Sequence, residues 1–143
     1  MKTKVEPNSV AKPVGWYSHA MKVSAKQLVF VAGQVPIDEK GQVVGINSGD
    51  KLRNHQTIDL ALQVRQTFLN VKAALEASGA SMKDIVRLDT YVVSSAMNEW
   101  RTIGRDVKHE MLGEAHPPGA TVFVAGLMIP EALLEISAIA AID

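Results

Sequence analysis

The C-terminal stretch His116–Asp143 reads HPPGATVFVAGLMIPEALLEISAIAAID. Its paired prolines stand before the first strand, because proline cannot donate to a sheet ladder. Residues 121–127 are rich in β-formers, residues 128–131 form a bend, and residues 133–142 alternate as a second strand. The pattern therefore predicts two successive strands joined by a short turn.

One carboxylate interrupts the alternation of the second strand. Glu135 shares a strand face with Leu133 and Ile139. A charge between two apolar neighbours is unfavourable unless it is exposed, paired or functional. The sequence leaves two interpretations open, namely an exposed edge position or a carboxylate aimed into a pocket.

Composition bounds the class of protein. The chain has 143 residues, 47% of them hydrophobic, and 15 basic residues balance 15 acidic ones. This composition predicts one globular domain over residues 1–143 with a sizeable core. No basic run marks a nucleic-acid surface. The mean hydropathy of +0.07 is explained either by apolar surface buried between subunits or by a densely packed monomer.

Cysteine is absent, which excludes disulfides and thiolate chemistry, and the four histidines lack metal-like spacing. No metal site is expected. No apolar run is long enough to span a membrane, and the N-terminus does not have the apolar segment of a signal peptide. We therefore expect no membrane partner and a cytoplasmic location.

The remaining segments predict the following order of elements. Residues 1–13 are polar and expected to be loosely held. Strands are predicted at 15–23, 27–35, 42–44 and 85–94, and helices at about 55–78 and 98–112. Asn54 or Thr57 is expected to cap the first helix, and Gly79 to end it. Gly33 inside its strand predicts a bulge or the close approach of another backbone or a ligand.

This order predicts an α+β fold with helices on one face of a mostly antiparallel sheet. The pentapeptide VFVAG occurs at both 29–33 and 122–126. The repeat indicates either internal pseudo-symmetry or two buried strands that use the same residue types. Dinucleotide, phosphate-loop, zinc-protease and serine-hydrolase motifs are absent from the sequence.

A spaced series of short motifs nevertheless resembles a known family. The blocks are GWYSHA (15–20), VAGQVP (31–36), Asn70, Leu75, Gly79, the proline pair 117–118, and EI-AIA around Glu135. Over residues 14–142 this series resembles the RidA/YjgF family of imine and enamine deaminases, also called L-PSP endoribonucleases. The resemblance implies a chorismate-mutase-like subunit and a homotrimer with clefts between subunits. It also implies hydrolysis of reactive 2-imino or 2-enamino acids to keto acids and ammonia, without a cofactor.

The resemblance also assigns site residues. Tyr17, Gly33, Gln34 and Glu135 match the family pattern. It implies that Glu135 is catalytic and orients the water that attacks the imine carbon. The substrate-binding set that it implies is Tyr17, Ala32, Gly33, Gln34, Gly119, Ala120 and Thr121.

Four positions depart from the family pattern. Gly119 replaces an arginine that grips the substrate carboxylate, Ala32 a serine, Thr121 a cysteine and Gly104 an asparagine. Loss of the bidentate grip is expected to weaken binding of an amino-acid-derived imine about tenfold to several hundredfold.

The missing arginine has two possible consequences. Arg87, Arg101 and Arg105 are candidate substitutes, or else exposed, solvated side chains. Gly119 and Ala120 also leave a larger, less polar cleft that suits a bulkier or uncharged ligand.

Three functions follow from these residues. The first is an imine deaminase with altered substrate choice, in which Glu135 orients water and backbone N–H groups near 119–121 polarise the substrate. The second is a trimer of the same fold that binds a small metabolite without converting it. The third is a ribonuclease, which neutral net charge and the lack of a basic, aromatic-interleaved stretch disfavour.

Overall fold

The computed structural model describes residues 1–47 and 57–143. Its strands are β1 (Lys2–Val5), β2 (Ala20–Val23), β3 (Gln27–Gln34), β4 (Ile46–Asn47), β5 (Thr57–Ile58), β6 (Ile85–Val93), β7 (Thr121–Val124) and β8 (Leu134–Ile142). Its α-helices are α1 (Leu60–Ala77), α2 (Met97–Glu99) and α3 (Arg105–Leu112). In the described residues, no helix is long and apolar enough to cross a membrane.

The main sheet has the strand order β3-β8-β6-β7. Strand β8 pairs antiparallel with both β3 and β6, whereas β7 pairs parallel with β6. Strands β1 and β2, and β4 and β5, form two small antiparallel pairs. The predicted α+β class with a mostly antiparallel sheet is confirmed.

Helix α1 covers one face of this sheet. Val64, Phe68, Val71 and Leu75 recur at helical spacing and are fully buried. They belong to the same core as alternate residues of the sheet: Val31, Leu88, Val92, Leu134, Ile136, Ala138 and Ala140. Burial of these apolar side chains supplies the main stabilisation of the fold, at about 1.5–3 kcal/mol for each large side chain.

The opposite face of the sheet has no helix over it in the described part of the chain. We call it the open face and define it by Phe30, Tyr91, Val122, Glu135 and Ile139, which pair across neighbouring strands. Phe30 is 72% exposed and Val122 is 42% exposed. Exposed apolar residues grouped in this way are typical of surfaces that contact another molecule.

The start of α1 differs from the prediction. Asp59 is the N-cap, and its side-chain oxygen accepts a hydrogen bond from the Leu62 N–H at 3.0 Å. Thr57 belongs to strand β5 instead. The alternative cap Asn54 and the predicted first residue His55 lie outside the described residues. Gly79 follows the helix with a φ of 76°, as predicted.

The second predicted helix is interrupted. A π-helical turn over Trp100–Gly104 separates α2 from α3. A Cβ at Gly104 would lie 2.5 Å from Cε3 of Trp100, so the glycine makes room for the buried indole. Gly113 ends α3 with a φ of 59°. Wide turns of this type are often found beside functional sites.

The N-terminal region also differs from the sequence pattern. Residues 2–5 were expected to be loose but form β1, and the strand predicted from residue 15 begins only at Ala20. The Lys2 Nζ lies 2.6 Å from Asp84 Oδ1, which ties β1 to the turn before β6. In place of a strand at 42–44 there is a single bridge between Ile37 and Val43.

A buried glutamine fixes the bend before β8. The Gln63 Nε2 donates to the carbonyl oxygens of Val44 and Glu131, at 3.1 and 2.9 Å. Its Oε1 accepts from the Leu133 N–H at 2.8 Å. Because all of these groups are satisfied, Gln63 is stable in the core and holds the start of β8, and so the position of Glu135.

Candidate functional site

Strand β3 bulges where the family glycine stands. Val31 pairs with Ala138 and Gln34 with Ile136, so Ala32 and Gly33 together face one residue of β8. A Cβ at Gly33 would overlap Oε1 of Glu135 and would lie 2.9 Å from its Cδ. The predicted bulge is therefore present, whereas the group that approaches Gly33 closely is a side chain and not a backbone or a ligand.

Glu135 lies on the open face beside Gly33 and opposite Tyr91 of β6. Its side chain is partly buried. Within residues 1–47 and 57–143 its carboxylate has neither a hydrogen bond nor an ion pair. A carboxylate in that state can accept a proton or a hydrogen bond from a bound molecule.

Gln34 and the loop after it complete this end of β3. The Gln34 Nε2 donates to the Ala32 carbonyl at 3.2 Å. Asn70 of α1 donates from Nδ2 to the carbonyls of Val35 and Ile37, at 3.0 and 2.8 Å. Asn70 thus holds the chain as it leaves β3. We call Ala32, Gly33, Gln34 and Glu135 the carboxylate half.

A second group lies along β6 and at the start of β7. The Pro118 carbonyl accepts from the Leu88 N–H at 3.1 Å, and the Ala120 carbonyl accepts from the Thr90 N–H at 2.8 Å. A Cβ at Gly119 would overlap the Leu88 carbonyl oxygen and would lie 2.7 Å from its carbon. In this backbone, position 119 therefore has no room for an arginine or any other side chain.

One of the backbone N–H groups in this loop already donates a hydrogen bond within the protein. The Ala120 N–H donates to Asp89 Oδ1 at 3.0 Å. Of the predicted N–H groups near 119–121, that of Ala120 is therefore already used inside the protein.

A cavity of about 570 Å³ opens beside this loop. Tyr17, Gly119, Ala120 and Thr121 line it, together with the rings of Trp16, Trp100 and Phe123 and the cations Arg101, Arg105 and Lys108. We call this group the cationic half. Four of the predicted substrate-binding residues therefore share one cavity.

The three candidate arginines differ in position. Arg101 and Arg105 line the cavity, and each guanidinium lies over a ring, 5.7 Å from the centroid of Phe123 and 5.0 Å from that of Trp16. Arg87 is not among the lining residues. It donates two hydrogen bonds to Asp89, at 2.7 and 3.2 Å.

Lys108 is the cation that sequence reasoning missed. Its Nζ lies 3.4 Å from Thr121 Oγ1. Burial lowers the pKa of Lys108 to about 8, and the negative charge of Asp89 opposes this shift. On the sequence Lys108 looks like a solvated helix residue, and only the pairing of β7 with β6 places Thr121 beside it.

Stacked rings form the wall of the cationic half. The rings of Trp16 and His109 lie 3.8 Å apart at 10°, and those of His109 and His116 are 5.8 Å apart. Burial lowers the pKa of His116, and the charges of Lys4 and His109 act in the same direction. The Trp16 and His109 rings, which line the cavity, present a flat surface to it.

Strand β3, which carries Ala32, Gly33 and Gln34, and strand β7 beside the cavity are opposite edges of the sheet, about 14 Å apart. Glu135 lies on β8, only two strand spacings from β7, but on the open face. Leu88, which lines the cavity, belongs to the core on the other face, and Glu135 is not among the cavity's lining residues. One chain alone therefore does not bring the Glu135 carboxylate into the cavity. No cluster of three potential metal ligands occurs in the described residues.

Comparison with known proteins finds a family model and relatives that match nearly the whole chain. The family model Endoribonuclease L-PSP matches residues 7–142. A RutC family protein of Pyrococcus horikoshii is 35% identical over 140 residues, which cover 98% of each chain. A 2-iminobutanoate/2-iminopropanoate deaminase of Dermatophagoides farinae is 30% identical, over 92% of this chain and 90% of its own.

One solved structure is also close in fold. The Rid family protein YyfB from Yersinia pestis superposes with a TM-score of 0.81 at 28% identity, over 99% of this chain and 98% of its own. YyfB is described as a protein of unknown function.

Proposed function

The chain belongs to the RidA/YjgF family, whose model carries the description Endoribonuclease L-PSP, and from this premise we propose that it hydrolyses reactive imines or enamines to keto compounds and ammonia. The observation that carries the proposal is the Glu135 carboxylate, which packs over Gly33 and has no partner among the described residues. The deaminase named among its relatives supports the same reaction class.

We propose that the working site forms between copies of the chain in a homotrimer. A contact that joins the β3 edge of one copy to the β7 edge of the next is heterologous, and such contacts close into a ring of three when each copy is rotated by 120° from the last. This contact would bring the carboxylate half of one copy to the cationic half of its neighbour. It would also cover apolar residues of the open face, of which Phe30 is the most exposed.

The chemistry needs one base and one group that stabilises charge. Glu135 accepts a proton as water attacks the imine carbon, which gives a carbinolamine. A proton then moves to nitrogen, the carbon–nitrogen bond breaks, and ammonia leaves as the carbonyl forms. Backbone N–H groups of Gly119 and Thr121 are the donors proposed for polarising the substrate, since that of Ala120 is bonded to Asp89.

The experiment is an imine-decay assay. An amino-acid oxidase generates 2-imino acids in place, and semicarbazide competes for them while keto acid and ammonia are measured. We expect the wild type to suppress trapping, and Glu135→Gln to reduce the rate at least 100-fold. Glu131→Gln, in the bend before the same strand, is the matched control and should keep the wild-type rate. Equal rates for wild type and Glu135→Gln contradict the proposal.

A second candidate is a trimer that binds a metabolite without turnover. The observation that favours it is the contact between Gly119 and the Leu88 backbone, which leaves no place for the family arginine. A wild type that is stabilised by keto or imino acids in a thermal-shift screen but inactive on every imine would support this candidate. Cleavage of RNA by wild type and not by Glu135→Gln would favour the ribonuclease instead.

A further inference from the structure

We propose that the cationic half is a subsite for a carboxylate joined to a bulky, planar apolar group, and that Lys108 is the residue that binds the carboxylate. This inference rests on the proposed function only in naming the substrate class, namely 2-imino acids with aromatic or large apolar side chains. The binding step is tested separately from turnover.

The charge of the cavity favours an anion. Arg101, Arg105 and Lys108 line it, whereas no Asp or Glu is among its described lining residues. Cations that converge on a concave surface of low polarity raise the local concentration of anions. An anionic ligand is therefore favoured over a cationic one.

Lys108 is the best placed of the three cations. It is partly buried, and its Nζ lies 3.4 Å from Thr121 Oγ1, within the loop and strand that line the cavity. Arg101 and Arg105 are exposed and rest over aromatic rings at the rim. A partly desolvated ammonium gains more from a carboxylate than an exposed guanidinium does.

Charged groups on several elements face Lys108. Asp89 of β6 is the acidic group that acts on its ammonium, and it is already engaged by Arg87 and the Ala120 N–H. Arg101 and Arg105 line the same cavity, and His109 follows Lys108 in α3. A bound carboxylate would therefore meet a cation that lacks a full counter-charge within the described structure.

The walls indicate what is joined to the carboxylate. Trp16, Trp100 and Phe123 surround the cavity, and the Trp16 ring is held parallel to the His109 ring. A volume of about 570 Å³ exceeds the needs of a three-carbon acid. Flat rings gain additional contact from offset stacking against such walls. The ligand class is thus an aromatic or similarly large carboxylate.

The test measures binding of stable probes by calorimetry at pH 7. We expect 3-phenylpropanoate to bind wild type at least tenfold more tightly than either 3-phenylpropanamide, which lacks the charge, or propanoate, which lacks the ring. Lys108→Met should bind the acid and the amide equally, and Lys108→Arg should keep the preference for the acid. Lys72→Met, an exposed lysine on α1, is the matched control and should behave as wild type.

The pH dependence gives a second readout. Carboxylate binding needs the protonated amine, so the Kd of wild type for 3-phenylpropanoate should rise about tenfold for each pH unit above 8. The Kd for 3-phenylpropanamide should stay level over the same range. In Lys108→Arg the dependence should vanish, because a guanidinium stays charged.

Separate outcomes identify which proposal fails. A preference for the acid that survives Lys108→Met, or a wild type that binds neither ring-bearing probe, overturns the subsite. Such a result leaves turnover by Glu135 standing. Conversely, Lys108-dependent binding together with no turnover of any imine supports the subsite and overturns the deaminase. Melting of Lys108→Met at or above the wild-type temperature shows that lost binding is not lost folding.

Discussion

The two edges of the sheet carry the same pentapeptide in different surroundings. VFVAG covers residues 29–33 in β3 and residues 122–126 through β7. Phe30 is 72% exposed on the open face, whereas Phe123 lies under Arg101 and lines the cavity. Gly33 is pressed against Glu135, whereas no atom of the described residues lies within 4 Å of a Cβ placed on Gly126.

The difference shows that strand pairing, and not the local sequence, decides what surrounds each of the two pentapeptides. The pentapeptide at 29–33 belongs to β3, which pairs antiparallel with β8 and so lies beside Glu135. The pentapeptide at 122–126 begins in β7, which pairs parallel with β6 and so lies beside helix α3 and Lys108. The prediction of two buried strands is wrong in this respect, because both copies are on edge strands.

The largest expected effect is at Phe30. Phe30→Asp leaves the single chain able to fold, because the ring is outside its core, but it places a charge in the proposed contact between copies. We expect a trimer for wild type and a monomer for the variant at micromolar concentration, by sedimentation. Met128→Asp, at a loop position that is 94% exposed, is the control and should remain a trimer. A monomeric wild type would refute the shared site.

The next largest effect is expected on the imine-decay rate, from substitutions at the glycines that end the two pentapeptides. Gly33→Ala should force the Glu135 carboxylate away from its place and lower the imine-decay rate about 100-fold, whereas Gly126→Ala should change it less than twofold. Neither glycine has a positive φ, so alanine is tolerated by both backbones. Similar rates for the two variants would mean that the carboxylate does not need its position over Gly33.

Gly119→Ala tests the other edge through stability. The new Cβ would meet the Leu88 backbone, which cannot rotate away, so we expect a loss of about 1–3 kcal/mol in the free energy of unfolding. That corresponds to a fall of about 2–4 °C in Tm for each kcal/mol. Gly126→Ala serves again as the control. A variant as stable as wild type would show that the loop is free to move off β6.

The smallest expected effect is at Lys108. Its replacement should raise the free energy of unfolding, whereas Gly119→Ala should lower it. A lysine whose folded pKa is lowered destabilises the fold below about pH 8, and the destabilisation disappears as the pH rises toward the unfolded value of about 10.4. Lys108→Met should therefore be about 1–2 kcal/mol more stable than wild type at pH 7, and this gap should narrow by pH 10. Chemical denaturation at both pH values measures it. A less stable variant would contradict the assigned burial.

The sequence predicts α1, β6 and β8 well because their apolar periods are long and regular. It misses the cap at Asp59, since Thr57 and Asp59 are both good capping residues and only the pairing of β4 with β5 decides between them. It also misses the π-helical turn, because the same apolar spacing suits a continuous helix.

The site residues likewise divide into those that the sequence predicts and those that it misses. Gly33 and Glu135 are conspicuous in the sequence because each breaks a strand pattern. Lys108 breaks no pattern, and its position depends on contacts between segments that are distant in the chain. Arg87 pairs with Ile139 and so lies on the open face, whereas Leu88, the next residue, lies in the core and lines the cavity. Which face of β6 meets the cavity depends on tertiary packing and could not be decided from alternation alone.

The contact between Gly119 and the Leu88 carbonyl has a consequence for redesign. In this backbone, an arginine introduced at position 119 would clash with the strand beneath it before it could bind any substrate. Such a side chain could be accommodated only after compensating changes had moved that strand. An engineer who wants a guanidinium at this place therefore has to rebuild the loop and β6 together.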